Sequence, residues 1–176
     1  MRRLLLVDDE ANVLSALQRA IRQCDFGEEV RVETFSDPNL ALIRSREVAF
    51  DVVVADFRMP QMNGVEFLRA YKEIQADSVR LILSASTEFE TLMSAINQAE
   101  VFRYLTKPWQ QNEIKDVLAL ALVYRDELRE NLHLFNELRE QLGELTPQER
   151  EAQRLEAEEP GITKVNWGPD GSVHLD

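Results

Sequence analysis

The chain has 176 residues, of which 20 are basic and 32 acidic, so its formal net charge is -12 at pH 7. This length allows one full hydrophobic core plus an appendage, and the acidic balance argues against a surface that binds nucleic acid through Lys and Arg. Cys24 is the single cysteine, which excludes an internal disulfide. No apolar run approaches the roughly 20 residues of a membrane span, and the one after Met1 is too short for a signal peptide, so we expect a cytoplasmic protein without membrane insertion.

Short apolar runs alternate with segments of helical periodicity over the first two thirds of the chain. The runs are predicted to be strands and lie at residues 4–7, 30–35, 52–55, 79–83 and 101–105. Segments of helical spacing follow them and are predicted to be helices, at about 13–21, from 38, at 65–74, at 87–98 and from about 110. Because crossovers between parallel strands are right-handed, these five βα units predict an α/β fold with a doubly wound, five-stranded parallel sheet and helices on both faces.

Reactive side chains follow four of the predicted strands. Asp8 and Asp9 close the first strand, Asp56 the third, Ser84 the fourth and Lys107 the fifth. Because the carboxyl ends of parallel strands share one edge of the sheet, we expect these residues to meet in a single crevice. Three crowded carboxylates repel one another, which favours a bound divalent cation. An aspartate, a hydroxyl and an ammonium group beside a metal are suited to holding a phosphoryl group.

The sequence around these residues resembles a known family. Its motifs are Leu-Leu-Val-Asp8-Asp9-Glu10, Val-Val-Ala-Asp56-Phe57-Arg58-Met59-Pro60 with Gly64 beyond it, Leu-Ile-Leu-Ser84-Ala85, and Tyr104-Leu-Thr-Lys107-Pro108-Trp109. All of them occur in the order and spacing of the receiver domain of bacterial two-component response regulators, and residues 1–122 resemble that domain as a whole. The resemblance implies the flavodoxin-like (βα)5 form of the predicted fold.

The resemblance also implies a chemistry for the acidic residues. Asp56 is expected to be the phosphoacceptor, which takes a phosphoryl group from a phosphohistidine on a sensor histidine kinase. The expected cofactor is Mg²⁺, which prefers oxygen ligands and retains several waters. Asp9 is expected to coordinate the ion directly and Asp8 largely through water, with Asp56 and the backbone carbonyl of Arg58 as further ligands.

Four more residues receive roles from the resemblance. Lys107 is expected to pair with Asp56 or with a phosphoryl oxygen, and Pro108 to follow it through a cis peptide bond. Ser84 is expected to hydrogen-bond a phosphoryl oxygen and thereby to let Tyr104 swing inward as a switch. The alternatives are that Ser84 only satisfies neighbouring backbone groups and that Tyr104 is an ordinary core aromatic.

An apolar heptad pattern continues beyond the receiver-like part, over residues 110–145. The a positions are Ile114, Ala121, Leu128, Phe135 and Leu142, and the d positions are Val117, Tyr124, Asn131, Leu138 and Leu145. This pattern predicts that the fifth helix extends into a coiled-coil stalk of about 50 Å that makes the protein a homodimer. The alternative is a single helix that folds back on the receiver.

Two smaller elements are predicted at the end of the chain. Thr146-Pro147-Gln148-Glu149 is a capping box with proline at the first helical position, which predicts a short helix within residues 146–160. Residues 161–176 are predicted to form a hairpin-like tail around the turn at 168–171. Because an isolated hairpin is only marginally stable, we expect the tail to dock on another surface through Trp167.

Three classes of function are compatible with these features. The leading interpretation is a phosphoacceptor signalling protein, not an enzyme, whose dimeric stalk contacts an unknown downstream protein. The second is a transcriptional regulator that acts with a separate DNA-binding partner, since residues 123–176 carry 6 basic and 13 acidic side chains and do not favour direct DNA contact. The third is a Mg²⁺-dependent aspartyl phosphohydrolase of the haloacid dehalogenase type, but those enzymes separate their two aspartates by one residue after the first strand.

Overall fold

The structure is a computed structural model that describes residues 1–85, 93, 96–143, 146–158, 166–167 and 173–174. The chain divides into two compact units, Met1–Leu128 and Arg129–Asp176. The first unit contains the residues of the predicted crevice, and the second contains the end of the long helix and the C-terminal elements.

A five-stranded parallel sheet forms the centre of the first unit. Its strands are β1 (Arg2–Val7), β2 (Val30–Phe35), β3 (Val52–Asp56), β4 (Val79–Ala85) and β5 (Arg103–Lys107). Their order across the sheet is β2-β1-β3-β4-β5, and every neighbouring pair is parallel. The predicted α/β fold is therefore confirmed. The last strand begins and ends two residues later than the predicted 101–105, so that Lys107 belongs to the strand itself.

Five helices have both ends within the described residues: α1 (Ala11–Arg22), α2 (Pro38–Glu47), α3 (Gly64–Ile74), α4 (Gln111–Gln141) and α5 (Pro147–Glu158). The helix predicted at 87–98 lies largely outside the described residues, although 96–99 are helical. The fifth predicted helix is therefore α4. None of the described helices offers an apolar stretch long enough to cross a bilayer.

Apolar side chains cover both faces of the sheet. Alternate residues of a strand point to opposite faces, so the continuous apolar runs of β1, β3 and β4 are buried on both sides. One face packs against α1 and α4, through Leu4, Leu6, Val52, Val54, Leu14, Leu17, Ile114 and Leu118. The other face packs against α2 and α3, through Leu5, Val53, Ala55, Ala41, Phe67, Leu68 and Tyr71.

The first part of α4 belongs to this core, which corrects part of the predicted seam. Ile114 and Ala121 are fully buried, and Val117 and Leu128 pack partly buried against the same cluster. Ile114 and Ala121 therefore cover the sheet and are not available to a partner helix. Tyr124 instead stacks on Phe102, with ring centroids 4.6 Å apart.

The second unit contains the rest of α4 and the C-terminal elements. This part of α4 carries three residues of the predicted seam, Asn131, Phe135 and Leu138, and all three are exposed. Leu142 follows the end of the helix, and Leu145 lies outside the described residues. The capping box of α5 is present, because the Glu149 side chain accepts from the Thr146 N–H at 2.8 Å and Thr146 Oγ1 accepts from the Glu149 N–H at 3.2 Å. Strands β6 (Asn166–Trp167) and β7 (Val173–His174) pair antiparallel, and the turn predicted between them lies outside the described residues.

The packing of α4 predicts a contrast between two leucines. Leu118 is 1% exposed and Leu120, on the other side of the helix, is 51% exposed. We expect Leu118→Ala to lower the free energy of unfolding by about 3 kcal/mol, because it leaves a cavity in the core. Leu120→Ala should change it by less than about 0.5 kcal/mol. Urea denaturation followed by circular dichroism measures both, and equal effects would show that this part of α4 does not pack on the sheet.

Candidate functional site

Three aspartates meet at the carboxyl edge of the sheet. The register of β1 and β3 pairs Val7 with Ala55, so Asp8 and Asp56 are the next residues along neighbouring strands. One carboxylate oxygen from each of Asp8, Asp9 and Asp56 lies within 4.8 Å of the others. Asp8 and Asp56 are buried and Asp9 is exposed, so the cluster opens to solvent on one side.

Lys107 reaches this cluster from β5. Its Nζ atom lies 2.9 Å from Asp8 Oδ2 and 2.9 Å from Asp56 Oδ1. The sequence predicted the contact with Asp56 but not the one with Asp8. Strand β4 lies between β5 and β3, and β1 lies on the far side of β3, so the lysine side chain crosses one strand to reach Asp56 and two to reach Asp8. Three carboxylates against one ammonium group leave a formal charge of -2 when all are ionised.

Burial and crowding change the protonation of the two central groups. Burial raises the pKa of Asp56 to about 6, and the nearby charges of Asp8 and Asp9 add to that effect, while the hydrogen bond from Lys107 opposes it. For Lys107, burial lowers the pKa, but its hydrogen bonds to Asp8 and Asp56 outweigh burial and the net direction is upward. The lysine therefore remains charged, and Asp56 is ionised mainly above pH 6.

The loop after Asp56 is held tightly against the aspartate. The Phe57 N–H donates to the Leu83 carbonyl at 2.9 Å, and the Gly64 N–H donates to the Phe57 carbonyl at 2.9 Å. A Cβ atom at position 64 would overlap the backbone carbonyl oxygen of Asp56, so only glycine fits there. A capping box between Asn63 and the first turn of α3 fixes the far end of the loop. The sequence motif included Gly64 without indicating this close approach.

The remaining predicted residues surround the cluster. Asp56 pairs with Leu83 in the sheet, which places Ser84 one residue further along β4, where it is 2% exposed. Its Oγ donates to the Ala85 carbonyl at 3.1 Å, so the backbone interaction that the sequence left as an alternative is present. Tyr104 on β5 is 38% exposed, and the side chain of Arg58 is exposed. The Lys107-Pro108 peptide bond is cis.

The donor set of this cluster fits a hard divalent cation. All three side chains offer carboxylate oxygens, which are the ligands that Mg²⁺ and Ca²⁺ prefer. Asp8 already accepts the Glu10 N–H at 2.9 Å through Oδ1 and Lys107 through Oδ2. Asp9 is exposed at the mouth of the cluster. The arrangement can therefore bind a cation and hold an anionic group between that cation and the lysine.

Comparison with known proteins places these features in a family. Residues 4–119 match the response regulator receiver domain. The hydrogenase transcriptional regulatory protein HoxA of Bradyrhizobium diazoefficiens is 35% identical over 123 residues, which are 69% of this chain and 24% of HoxA, so the chain spans about a quarter of that relative.

Two solved structures have the same fold over most of their length. The structure of an adenylate cyclase from Rhodopirellula baltica is 31% identical with a TM-score of 0.69, covering 77% of this chain and 97% of its own. The signal receiver domain of an HD domain-containing protein from Pseudomonas fluorescens Pf-5 is 27% identical with a TM-score of 0.67, covering 73% and 92%. Since the family match extends over most of the chain and includes every residue of the acidic cluster, this protein belongs to the response regulator receiver domain family.

Proposed function

We propose that this protein accepts a phosphoryl group on Asp56 from a sensor histidine kinase, in a Mg²⁺-dependent reaction, and signals through a protein contact made by its long helix. The observation that carries this proposal is the ammonium group of Lys107, 2.9 Å from the Asp56 carboxylate within a cluster of three aspartates. Such a cluster is unfavourable for stability alone, because like charges are gathered in a partly buried site. Its geometry suits an incoming phosphoryl group.

The transfer uses the carboxylate as nucleophile. An Oδ atom of Asp56 attacks the phosphorus of the phosphohistidine, the P–N bond breaks with its electron pair leaving to the imidazole, and an acyl phosphate forms. Lys107 stays protonated and offsets negative charge on the phosphoryl oxygens. Asp8, Asp9, Asp56 and the Arg58 carbonyl would hold Mg²⁺, which would supply further positive charge to those oxygens.

Ser84 and Tyr104 report the phosphoryl group to the surface. Ser84 Oγ exchanges its bond to the Ala85 carbonyl for one to a phosphoryl oxygen, and Tyr104 on the neighbouring strand moves inward from its half-exposed position. Moving a two-state equilibrium from 1:99 to 99:1 requires roughly 5.5 kcal/mol of differential stabilisation. Partial activation is therefore the expected response to phosphorylation.

The output is a homodimeric contact along the second half of α4. Beyond Leu128 the helix carries large apolar side chains that are each about half exposed or more, namely Leu132 (49%), Leu134 (54%), Phe135 (58%) and Leu138 (54%), followed by Leu142 (66%). Helical spacing places most of them in one stripe, with Asn131 inside it. A second copy of the same stripe covers them as a coiled coil, and the buried asparagine fixes the register.

A transcriptional role with a separate DNA-binding partner is the second candidate. It is supported by the similarity to HoxA, a hydrogenase transcriptional regulatory protein, over 69% of this chain and 24% of HoxA. Affinity capture with wild-type protein and with Asp56→Asn identifies the downstream partner and separates the two candidates. Phosphorylation-dependent recovery of a DNA-binding protein would favour the transcriptional role.

The phosphoacceptor is tested with a small-molecule phosphodonor and Mg²⁺. We expect the wild-type protein and the exposed-site control Asp116→Asn to gain one phosphoryl group by mass spectrometry, and Asp56→Asn to gain none. Modification of Asp56→Asn at the wild-type rate would remove this aspartate from its role. Sustained phosphate release from phosphoesters that is lost in Asp9→Asn and kept in Asp56→Asn would instead support the phosphohydrolase interpretation.

The raised pKa of Asp56 predicts a pH-dependent effect on stability. A carboxyl group with a higher pKa in the folded than in the unfolded protein opposes folding when it ionises, so the penalty grows from about pH 4 to about pH 6 and is complete above that. In EDTA, we expect Asp56→Asn to be more stable than wild type by about 1 to 3 kcal/mol at pH 7.5. Urea denaturation from pH 4 to 7.5 measures the difference, with Asp116→Asn as control. A difference that increased towards pH 4 would contradict the assigned direction.

The dimer seam predicts the effect of a buried charge. We expect Leu138→Asp to weaken dimerisation roughly 100-fold, because the carboxylate would be desolvated against the partner's apolar stripe. His133→Asp adds the same side chain to an exposed position outside the stripe and should leave dimerisation within a few-fold of wild type. Sedimentation velocity over a concentration series measures both. Equal dimer populations in wild type and Leu138→Asp would disprove the seam.

A further inference from the structure

Arginines and carboxylates form a network at the amino ends of the strands, opposite to the edge that carries Asp56. We define the basal clasp as Arg2, Asp51, Asp77, Arg125 and Asp126. Arg2 begins β1, Asp51 immediately precedes β3, and Asp77 lies two residues before β4. Arg125 and Asp126 are consecutive residues of α4. One turn of the long helix is therefore tied to the starts of three strands.

Arg125 is the buried centre of the clasp, at 5% exposure. Its Nη1 donates to the Asp77 backbone carbonyl at 2.7 Å and lies 2.7 Å from the Asp77 carboxylate. Its Nε lies 3.4 Å from Asp51 Oδ1. The other oxygen of Asp51 accepts the Arg3 N–H at 2.9 Å, so the aspartate that holds the helix is itself fixed to β1.

Arg2 forms the outer half of the clasp. Its two terminal nitrogens each donate to one oxygen of Asp126 at 2.6 Å, which is a bidentate pair. Its Nε donates to Glu28 at 2.7 Å, just before β2. The two adjacent residues of α4 thus have opposite charges in this network: the Arg125 guanidinium contacts carboxylates, and the Asp126 carboxylate contacts the Arg2 guanidinium.

Stability alone does not account for a charge at position 125. This side chain lies on the face of α4 that packs on the sheet, near Leu118, Ala121 and Leu122, which are nearly or fully buried. An apolar residue of similar volume is often at least as stabilising as a buried ion pair, because the charges must be desolvated. A planar guanidinium that contacts two loops does, however, restrict the helix to one position and orientation.

The place of the clasp along α4 is equally informative. The helix begins four residues after Lys107, and Arg125 follows its start by about 20 Å of helix. Leu128 is the last residue of the first compact unit and packs partly buried against the core, while α4 continues to Gln141. The clasp thus lies within about one helical turn of the end of the first compact unit.

We propose that Arg125 and Asp126 are positioning residues that hold α4 against the starts of the strands. With the helix attached there, a conformational change at the phosphoacceptor edge is transmitted along α4. Without the attachment, α4 would separate from the sheet and the change would not be transmitted. This inference rests on the proposed function, in which the signal leaves through α4. Disrupting the clasp should leave phosphorylation of Asp56 intact. It should abolish the structural change that phosphorylation causes in the second half of α4.

The test measures backbone hydrogen exchange by mass spectrometry in the full chain, with and without beryllofluoride and Mg²⁺. In wild type, we expect beryllofluoride to protect residues 52–64 and to change exchange in residues 129–141. Arg125→Gln should keep the protection at 52–64, lose the change at 129–141, and exchange roughly tenfold faster at 121–128. Arg129→Gln removes the same charge one turn later, at an exposed position, and should behave like wild type. Arg125→Lys should restore part of the response.

Each outcome separates this inference from the proposed function. An Arg125→Gln protein with the wild-type change at 129–141 would overturn the inference and leave the phosphoacceptor role intact. A wild-type protein without protection at 52–64 would overturn the phosphoacceptor role and with it the inference. If Arg125→Gln does not fold, Asp126→Asn tests the clasp from its exposed side, and a wild-type response in that variant would also count against it.

Discussion

Three carboxylates within 4.8 Å of one another, with one ammonium group bound to two of them, are the interaction on which the rest of this receiver depends. Like charges at this spacing repel, and the repulsion together with burial is expressed in the raised pKa of Asp56. The cluster exists because β1 and β3 are buried neighbours, and their apolar residues hold the two strand ends side by side. The folding energy of the sheet thus maintains a site that attracts cations and can hold a phosphoryl group between opposite charges.

The two edges of the sheet carry different interactions, and α4 connects them. The carboxyl edge holds the aspartates and Lys107, while the amino edge holds the basal clasp around Arg125. Because α4 begins shortly after Lys107 and reaches Arg125 about four turns later, it runs back along the sheet from one edge to the other. The helix thus begins four residues after Lys107 and is attached to the opposite edge through Arg125.

Much of the site was predictable because its residues end parallel strands. The continuous apolar runs of β1, β3 and β4 are typical of strands buried on both faces, and strands that run parallel end at the same edge of the sheet. The contact between Lys107 and Asp8 was not predictable in this way. Whether a lysine on β5 reaches one buried carboxylate or both depends on the spacing of the strands and on the path of its side chain past β4 and β3. The close approach of Gly64 to the Asp56 carbonyl likewise depends on how the loop closes.

The sequence by itself determined the class of the fold, the convergence of Asp8, Asp9, Asp56 and Lys107, and the capping box of α5, because each follows from local pattern or from the shared edge of a parallel sheet. Only the tertiary structure decided which part of the apolar stripe on α4 is core. Ile114 and Ala121 cover the sheet, whereas Phe135 and Leu138 are exposed. A heptad repeat and the 3.6-residue period of a helix packed on a sheet differ by only about 20° per heptad, so periodicity does not distinguish the two partners. What α4 packs against is set by residues distant in sequence, and so is the burial of Arg125 between Asp51 and Asp77.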